Sequence, residues 1–230
     1  GIPSKDDPPL ATDDGPETTV QLAEDVSLLT AVDELRDERW EDDTGDPVGL
    51  HNGMVSVRVV DLRWRGRGFD LELARRYVSH RADRNGALGF GWQHSFDVRL
   101  LVSSTGIELS NGNGRVDAYT PIDATHYAAP SGVYARLVFE SASSSWVLRT
   151  RHGTRTTFRQ VPGDTTGVWR AASTRDRHGN SVTYEYADGG RLVAVVDTVG
   201  HRLEFFHDAQ GRLERVRDVI GREVVYAYDD

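Results

Sequence analysis

The chain of 230 residues contains no cysteine. Disulfide staples, thiolate metal sites and a cysteine nucleophile are therefore excluded, while an extracellular life is not, since a large β structure needs no staples. No apolar run approaches 18 residues, so nothing reads as a membrane-spanning helix. There is one methionine, Met54, no Asn-x-Ser/Thr sequon, and the first residue is Gly1. These features suggest a processed piece of a longer chain, in which a lost signal peptide would leave no trace. Basic residues are scarce at the N-terminus: residues 1–50 carry 15 Asp and Glu against Lys5, Arg36 and Arg39, whereas the other 180 carry 21 acidic and 24 basic residues, for a net charge of −9. So acidic an arm is no partner for nucleic acid, because phosphate binding needs clustered Lys and Arg.

Taken in order, residues 1–19 are Pro-, Asp-, Thr- and Gly-rich, with too few large apolar groups to offset chain entropy, and are expected to be disordered. Leu22, Val26, Leu29 and Val32 recur at helical spacing, which predicts one amphipathic helix over 20–41, ending before Gly45-Asp46-Pro47. Its stripe would pack on the body or act as a detachable plug. From Val48 the pattern is β. Arg63, Arg65 and Arg67 alternate with Trp64 and Gly66, which predicts three arginines on one strand face, either solvated or a dock for the acidic arm. Leu71, Leu73 and Arg75 share one strand parity.

The run Gly86 to Asp97 predicts a tight glycine loop leading into a strand. Its G-x-x-G-x-G order precedes β rather than helical sequence, so no helix N-terminus would face a phosphate. His94, Ser95 and Asp97 have the residue types of a catalytic triad, but strand neighbours point to opposite faces and could not meet. Ser104-Thr105-Gly106 and Asn111-Gly112-Asn113-Gly114 read as hairpin turns, with strands at 133–140, 145–151 and 154–161.

The last third repeats every 21 residues. Asp176, Asp197 and Asp218 form one column, Gly179, Gly200 and Gly221 a second, Tyr184, Phe205 and Tyr226 a third, and Gly190-Arg191-Leu192 recurs as Gly211-Arg212-Leu213. Asp-x-x-Gly, including Asp208 to Gly211, fits a type I turn with Asp first and Gly fourth. Val182, Tyr184 and Tyr186 match Leu203, Phe205 and His207, and Val224, Tyr226 and Tyr228, which predicts one packed aromatic face. Leu192 and Val195, like Leu213 and Val216, stand three apart, which predicts a bulge or an early turn. Gly153 to Phe158 reads as an early, divergent copy, displaced by a longer hairpin tip at Pro162 to Gly167. One aspartate per turn argues for turn-making over calcium binding, and no histidine pair has metal-motif spacing. His178, His201 and His207 are expected to be solvated. Neither a metal nor another cofactor is implied.

Tyr228-Asp229, the Asp-x-x-Gly turns, the Gly-Arg-Leu steps and the 21-residue period resemble the YD repeats of Rhs proteins. Arg75 to Tyr77, Ser79, Gly86 to Asp97 and the lead-in at Gly45-Asp46-Pro47 resemble the domain that commonly precedes those repeats. Two copies depart from the Tyr-Asp pair: one has His207-Asp208, the other Tyr186-Ala187 with Asp188 shifted by one. The resemblance spans roughly residues 45–230. It implies a bacterial protein, secreted or delivered by type VI secretion, whose repeats form a spiralling sheet that closes into a hollow shell around a C-terminal toxin.

The expected fold is thus mainly β: antiparallel hairpin repeats in part of a spiralling sheet or open shell, with an acidic arm at 1–44, a β domain at 45–145 and repeats at 146–230. The expected role is structural and non-enzymatic, and the expected partners are the rest of the parent chain and a secretion-system component. An adhesive, glycan-binding module is the alternative.

Overall fold

The computed structural model describes residues 54–229. The acidic arm and the helix expected near 20–41 lie outside the described residues. Within them the fold is mainly β, as the alternating patterns predict, and helical geometry is confined to two short 3-10 turns at Ser79–Arg81 and Ser141–Ser143.

The chain begins with a three-stranded antiparallel sheet, made by β1 (Ser56–Trp64), β2 (Leu71–Val78) and β5 (Trp92–His94), in the order β1-β2-β5. Between β2 and β5 the glycine run folds as a miniature hairpin of β3 (Asn85–Gly86) and β4 (Gly89–Phe90). β1 ends at Trp64, so Arg65 and Arg67 lie beyond the strand, and the expected row of three arginines on one face is not formed. The chain turns there because the Gly66 amide donates to Asp70 Oδ1 at 3.2 Å, closing the loop into β2. Arg63 stays on the strand and pairs with Glu72 at 3.2 Å and Asp70 at 3.6 Å.

The next eight strands are β6 (Val98–Val102), β7 (Ile107–Asn111), β8 (Val116–Pro121), β9 (His126–Ala128), β10 (Ala135–Glu140), β11 (Ser145–Thr150), β12 (Arg155–Arg159) and β13 (Val168–Arg175). Each pairs with the next, and β13 returns to pair antiparallel with β6, closing an up-and-down barrel. Eight strands enclose a space that side chains can fill. Here Leu100, Ile107, Leu109, Tyr119, Leu137 and Phe158 fill it, with Trp146 and Trp169 in edge contact at 6.5 Å. Closure adds to the expected open sheet and removes free edges from this part of the chain. The boundary expected between 145 and 146 falls inside the barrel, immediately after the turn joining β10 to β11. Those strands pair residue for residue from Ala135↔Thr150 to Glu140↔Ser145, which no domain break could interrupt.

Five more strands continue from β13: β14 (Ser181–Tyr186), β15 (Leu192–Val196), β16 (Arg202–His207), β17 (Leu213–Arg217) and β18 (Glu223–Val225). One edge of β13 serves both structures. Its residues Val168–Arg170 pair with β6, whereas Ser173–Arg175 pair with β14. The change falls at an extra residue, Ala172, where the register with β12 slips. The same slip recurs at Val193 against β14 and at Glu214 against β16. Bulges raise local twist and turn a strand's edge. Their 21-residue recurrence shows that β13 is the first repeat strand as well as a barrel stave. β18 has one neighbour among the described residues, β17, as expected of an exposed edge strand.

The three-stranded sheet lies over the aromatic face of the repeats. Leu62, Leu71 and Leu73 of that sheet share a core with Val182, Leu203, Phe205, Val224 and Tyr226.

Candidate functional site

The repeat hairpins and their turns are the most regular chemistry in the molecule. In four turns the same clasp is made. Asp176, Asp197, Asp208 and Asp218 each donate their amide to the carbonyl four residues on, and each carbonyl receives the amide of the glycine three residues on, Gly179, Gly200, Gly211 and Gly221. Each Oδ1 accepts the amides at the second and fourth positions beyond it, at 2.8–3.1 Å. The glycines have φ between 83° and 91°, the left-handed region that closes a type I turn with a bulge, where any side chain would be strained.

The other carboxylate oxygen is held by a residue that column-by-column reading passed over. Asn180, His201, Arg212 and Arg222, all four positions after the aspartate, donate to Oδ2 at 2.6–2.8 Å. Every one of them carries a side-chain N–H donor, which is the signal that could have revealed the fifth position. His201 is therefore part of a clasp rather than free in solvent. Partial burial acts against ionisation of Asp176 and Asp208, but the converging donors outweigh it and hold both carboxyls below the usual range. The early copy has the same turn with Thr150 in the aspartate's place: the Thr150 amide donates to the Thr154 carbonyl, the Gly153 amide donates to the Thr150 carbonyl, and Thr150 Oγ1 accepts the Thr154 amide.

The aromatic column packs as expected. Phe205 and Tyr226 are buried, and Tyr184 is packed against both the repeat core and the barrel core. Tyr226 also bonds: its hydroxyl donates to Asp61 Oδ2 at 2.8 Å, and Asp61 Oδ1 receives Arg75 Nε at 3.2 Å. Burial pushes the Asp61 carboxyl up, against the bond from Tyr226 and the charge of Arg75. This triplet bolts β1 and β2 to the repeat sheet. The turns add further ties, since Thr198 Oγ1 lies 3.2 Å from Arg67 O, Arg222 donates to Arg63 O at 3.1 Å, and Trp64 meets His201 edge-on at 5.2 Å. Tyr228 places its hydroxyl against Leu213 O, with Arg212 stacked 4.5 Å over its ring, and Asp229 is exposed.

Arg63, Arg65 and Arg67 do not converge. Arg63 already has two carboxylates, and the acidic arm they were to hold lies outside the described residues. His94, Ser95 and Asp97 do not assemble either. The Ser95 hydroxyl bonds Glu72 O at 2.6 Å, and Asp97 holds Arg99 through both oxygens at 2.6 Å. His94 is buried, its ring 5.7 Å from Phe205, and burial holds its pKa down to about 4. Among the described residues no three His, Asp or Glu side chains are arranged to hold a metal, and no helix is long and apolar enough to cross a membrane.

These features define the class: an eight-stranded barrel extended by clasped hairpin repeats under a three-stranded cover. Residues 45–119 match the model of a family described as a domain of unknown function, DUF6531. The matched span takes in the cover sheet, the glycine hairpin and the barrel's first strands up to Tyr119 in β8. No curated protein matches the chain.

Proposed function

We propose that this chain is a structural, non-enzymatic segment of an Rhs-type β shell that encloses a C-terminal toxin and helps deliver it, after export, in bacterial competition or pathogenesis. The observation that carries the reading is the repeated hairpin. One clasp recurs in four turns and one bulge in three strands, each bulge 21 residues from the last. Units of this kind bury one face and extend edge to edge, which is how a wall grows. The dispersed partners of His94, Ser95 and Asp97 favour a non-catalytic role. The aromatic column offers no stacking platform to the glycan-binding alternative, because Phe205 and Tyr226 are 4% and 3% exposed.

Limited proteolysis of the native parent chain tests the proposal. A toxin segment following residue 230 should resist protease for as long as the repeats remain folded. Rapid digestion of everything beyond that point, with residues 54–229 intact, would contradict enclosure.

A further inference from the structure

The flanking copies of the repeat show what the middle one lacks. Tyr186 and Tyr228 occupy the same column, and their hydroxyls donate to the carbonyls of Ala171 at 2.9 Å and Leu213 at 2.7 Å, each just before a bulge. Over each ring lies an arginine, Arg170 at 6.0 Å and Arg212 at 4.5 Å. Each arginine is held by an aspartate, Asp164 at 3.0 Å and Asp208 at 2.8 Å. In the middle copy the tyrosine column holds His207, the arginine column Arg191, and the clasp position Ala187. The backbone turn survives, with Ala187 donating to Arg191 O and Gly190 to Ala187 O. The phenol and the carboxylate are both missing. Among the described residues the Arg191 side chain makes no hydrogen bond or ion pair.

What this leaves is a cleft of ≈ 210 Å³, lined by Arg191, Leu192, His207, Gly211, His94 and Phe96. It lies where the repeats, the barrel and the cover sheet meet. His94 is only 5% exposed, and its Nδ1 has no hydrogen-bond partner in the protein. The two other arginines of the lining are already neutralised, Arg99 by Asp97 and Arg170 by Asp164. Arg191 is thus the cation of the cleft without a carboxylate, and a guanidinium fork matches a carboxylate's two oxygens.

We propose that this cleft binds a small ligand through a carboxylate group, seated between Arg191 and the two histidines, where the flanking copies carry their own aspartate and tyrosine hydroxyl. The volume exceeds that of a lone ion and suits a compact organic acid better than a drug-sized molecule. This site stands apart from the shell reading, and either can fail alone.

The test is an NMR titration of the full chain, following the ring signals of His94 and His207, with N-acetyl-aspartate, N-acetyl-asparagine and inorganic phosphate as probes. N-acetyl-aspartate should give a saturable shift, with the neutral amide and phosphate at least about tenfold weaker. Arg191→Gln should weaken binding about tenfold or more. His207→Tyr, which restores the flanking copies' residue and fills the cleft, should abolish binding without lowering the thermal midpoint. Should that variant fold poorly, Ala187→Asp supplies an internal carboxylate to Arg191 and should also abolish binding. The site would be overturned by no saturable shift with N-acetyl-aspartate, by equal or tighter binding of the amide or phosphate, or by undiminished binding in Arg191→Gln and whichever cleft-filling variant folds.

Discussion

The barrel and the repeat sheet are made from the same material, antiparallel hairpins, and solve the edge problem differently. The barrel joins β6 to β13 and has no edge left along that seam. The repeat sheet keeps an edge at β18 and covers one face with the three-stranded sheet. Their turns differ accordingly. Barrel turns vary: Ser103 and Gly106 close one, and the 3-10 turn at Ser141–Ser143, with Ser144 left-handed at φ 44°, another, whereas Asn111 to Arg115 and Thr150 to Thr154 share the repeats' backbone bond without an aspartate. In the repeats one aspartate clasp recurs in four turns, and only the turn at Ala187 lacks its carboxylate. A closed barrel needs only that its seam meet, whereas a sheet that grows by addition needs each unit to present the next with the same edge.

Four perturbations would break or sharpen that contrast. The largest effect is expected at the joint between cover and repeats. Asp61→Ala removes the buried carboxylate that joins Arg75 to the Tyr226 hydroxyl and should cost about 3–5 kcal/mol in urea denaturation. An unchanged midpoint would mean that the triplet does not bolt the two sheets together. Next comes pH. The neutral His94 is held to about 4 in the folded chain against an ordinary 6.5, so the unfolded chain takes up its proton first. His94 should lose on the order of 3 kcal/mol of stability as pH drops from 6.5 to 4, a share that His94→Gln should remove, leaving the share of His207, whose pKa burial also holds down.

A third comparison sets a repeat turn against a barrel turn. Asp218, whose side chain is 1% exposed, accepts two amides and Arg222, so Asp218→Ala should cost about 2–3 kcal/mol. The exposed Ser103→Ala in the barrel should cost less than about 0.5 kcal/mol by the same assay. The smallest effect is a gain: Ala187→Asp should complete the missing clasp with Arg191 and raise stability by about 0.5–1 kcal/mol, read as a higher thermal midpoint.

What was legible in the sequence follows from the same contrast. Identical hairpins in a row leave a period, so Asp176, Asp197 and Asp218, their glycines and the aromatic column could be aligned and given roles. The three-residue spacing of Leu192 and Val195 announced the bulge at Val193. Closure left no such trace. Arg99–Leu101 and Val168–Arg170 pair across nearly the whole barrel sequence, and nothing local to either strand names the other. Position 145 looked like a boundary because the period fades there, although the hydrogen-bonded ladder does not. The fifth clasp position was hidden by chemistry: Asn180, His201, Arg212 and Arg222 share a donor and no letter. His207 was read as a solvated departure from the pattern, and its half-buried place at the cleft became visible only against Tyr186 and Tyr228 in space.

Amide hydrogen exchange along the seam and along the edge tests the central contrast most directly. The β6 and β13 amides that bond across the closure should exchange only with global unfolding, while outward-facing amides of β18 should exchange orders of magnitude faster. Seam amides that exchange as fast as those of β18 would contradict a closed barrel, and with it the division of this chain into a sealed unit and a sheet with an open edge among the described residues.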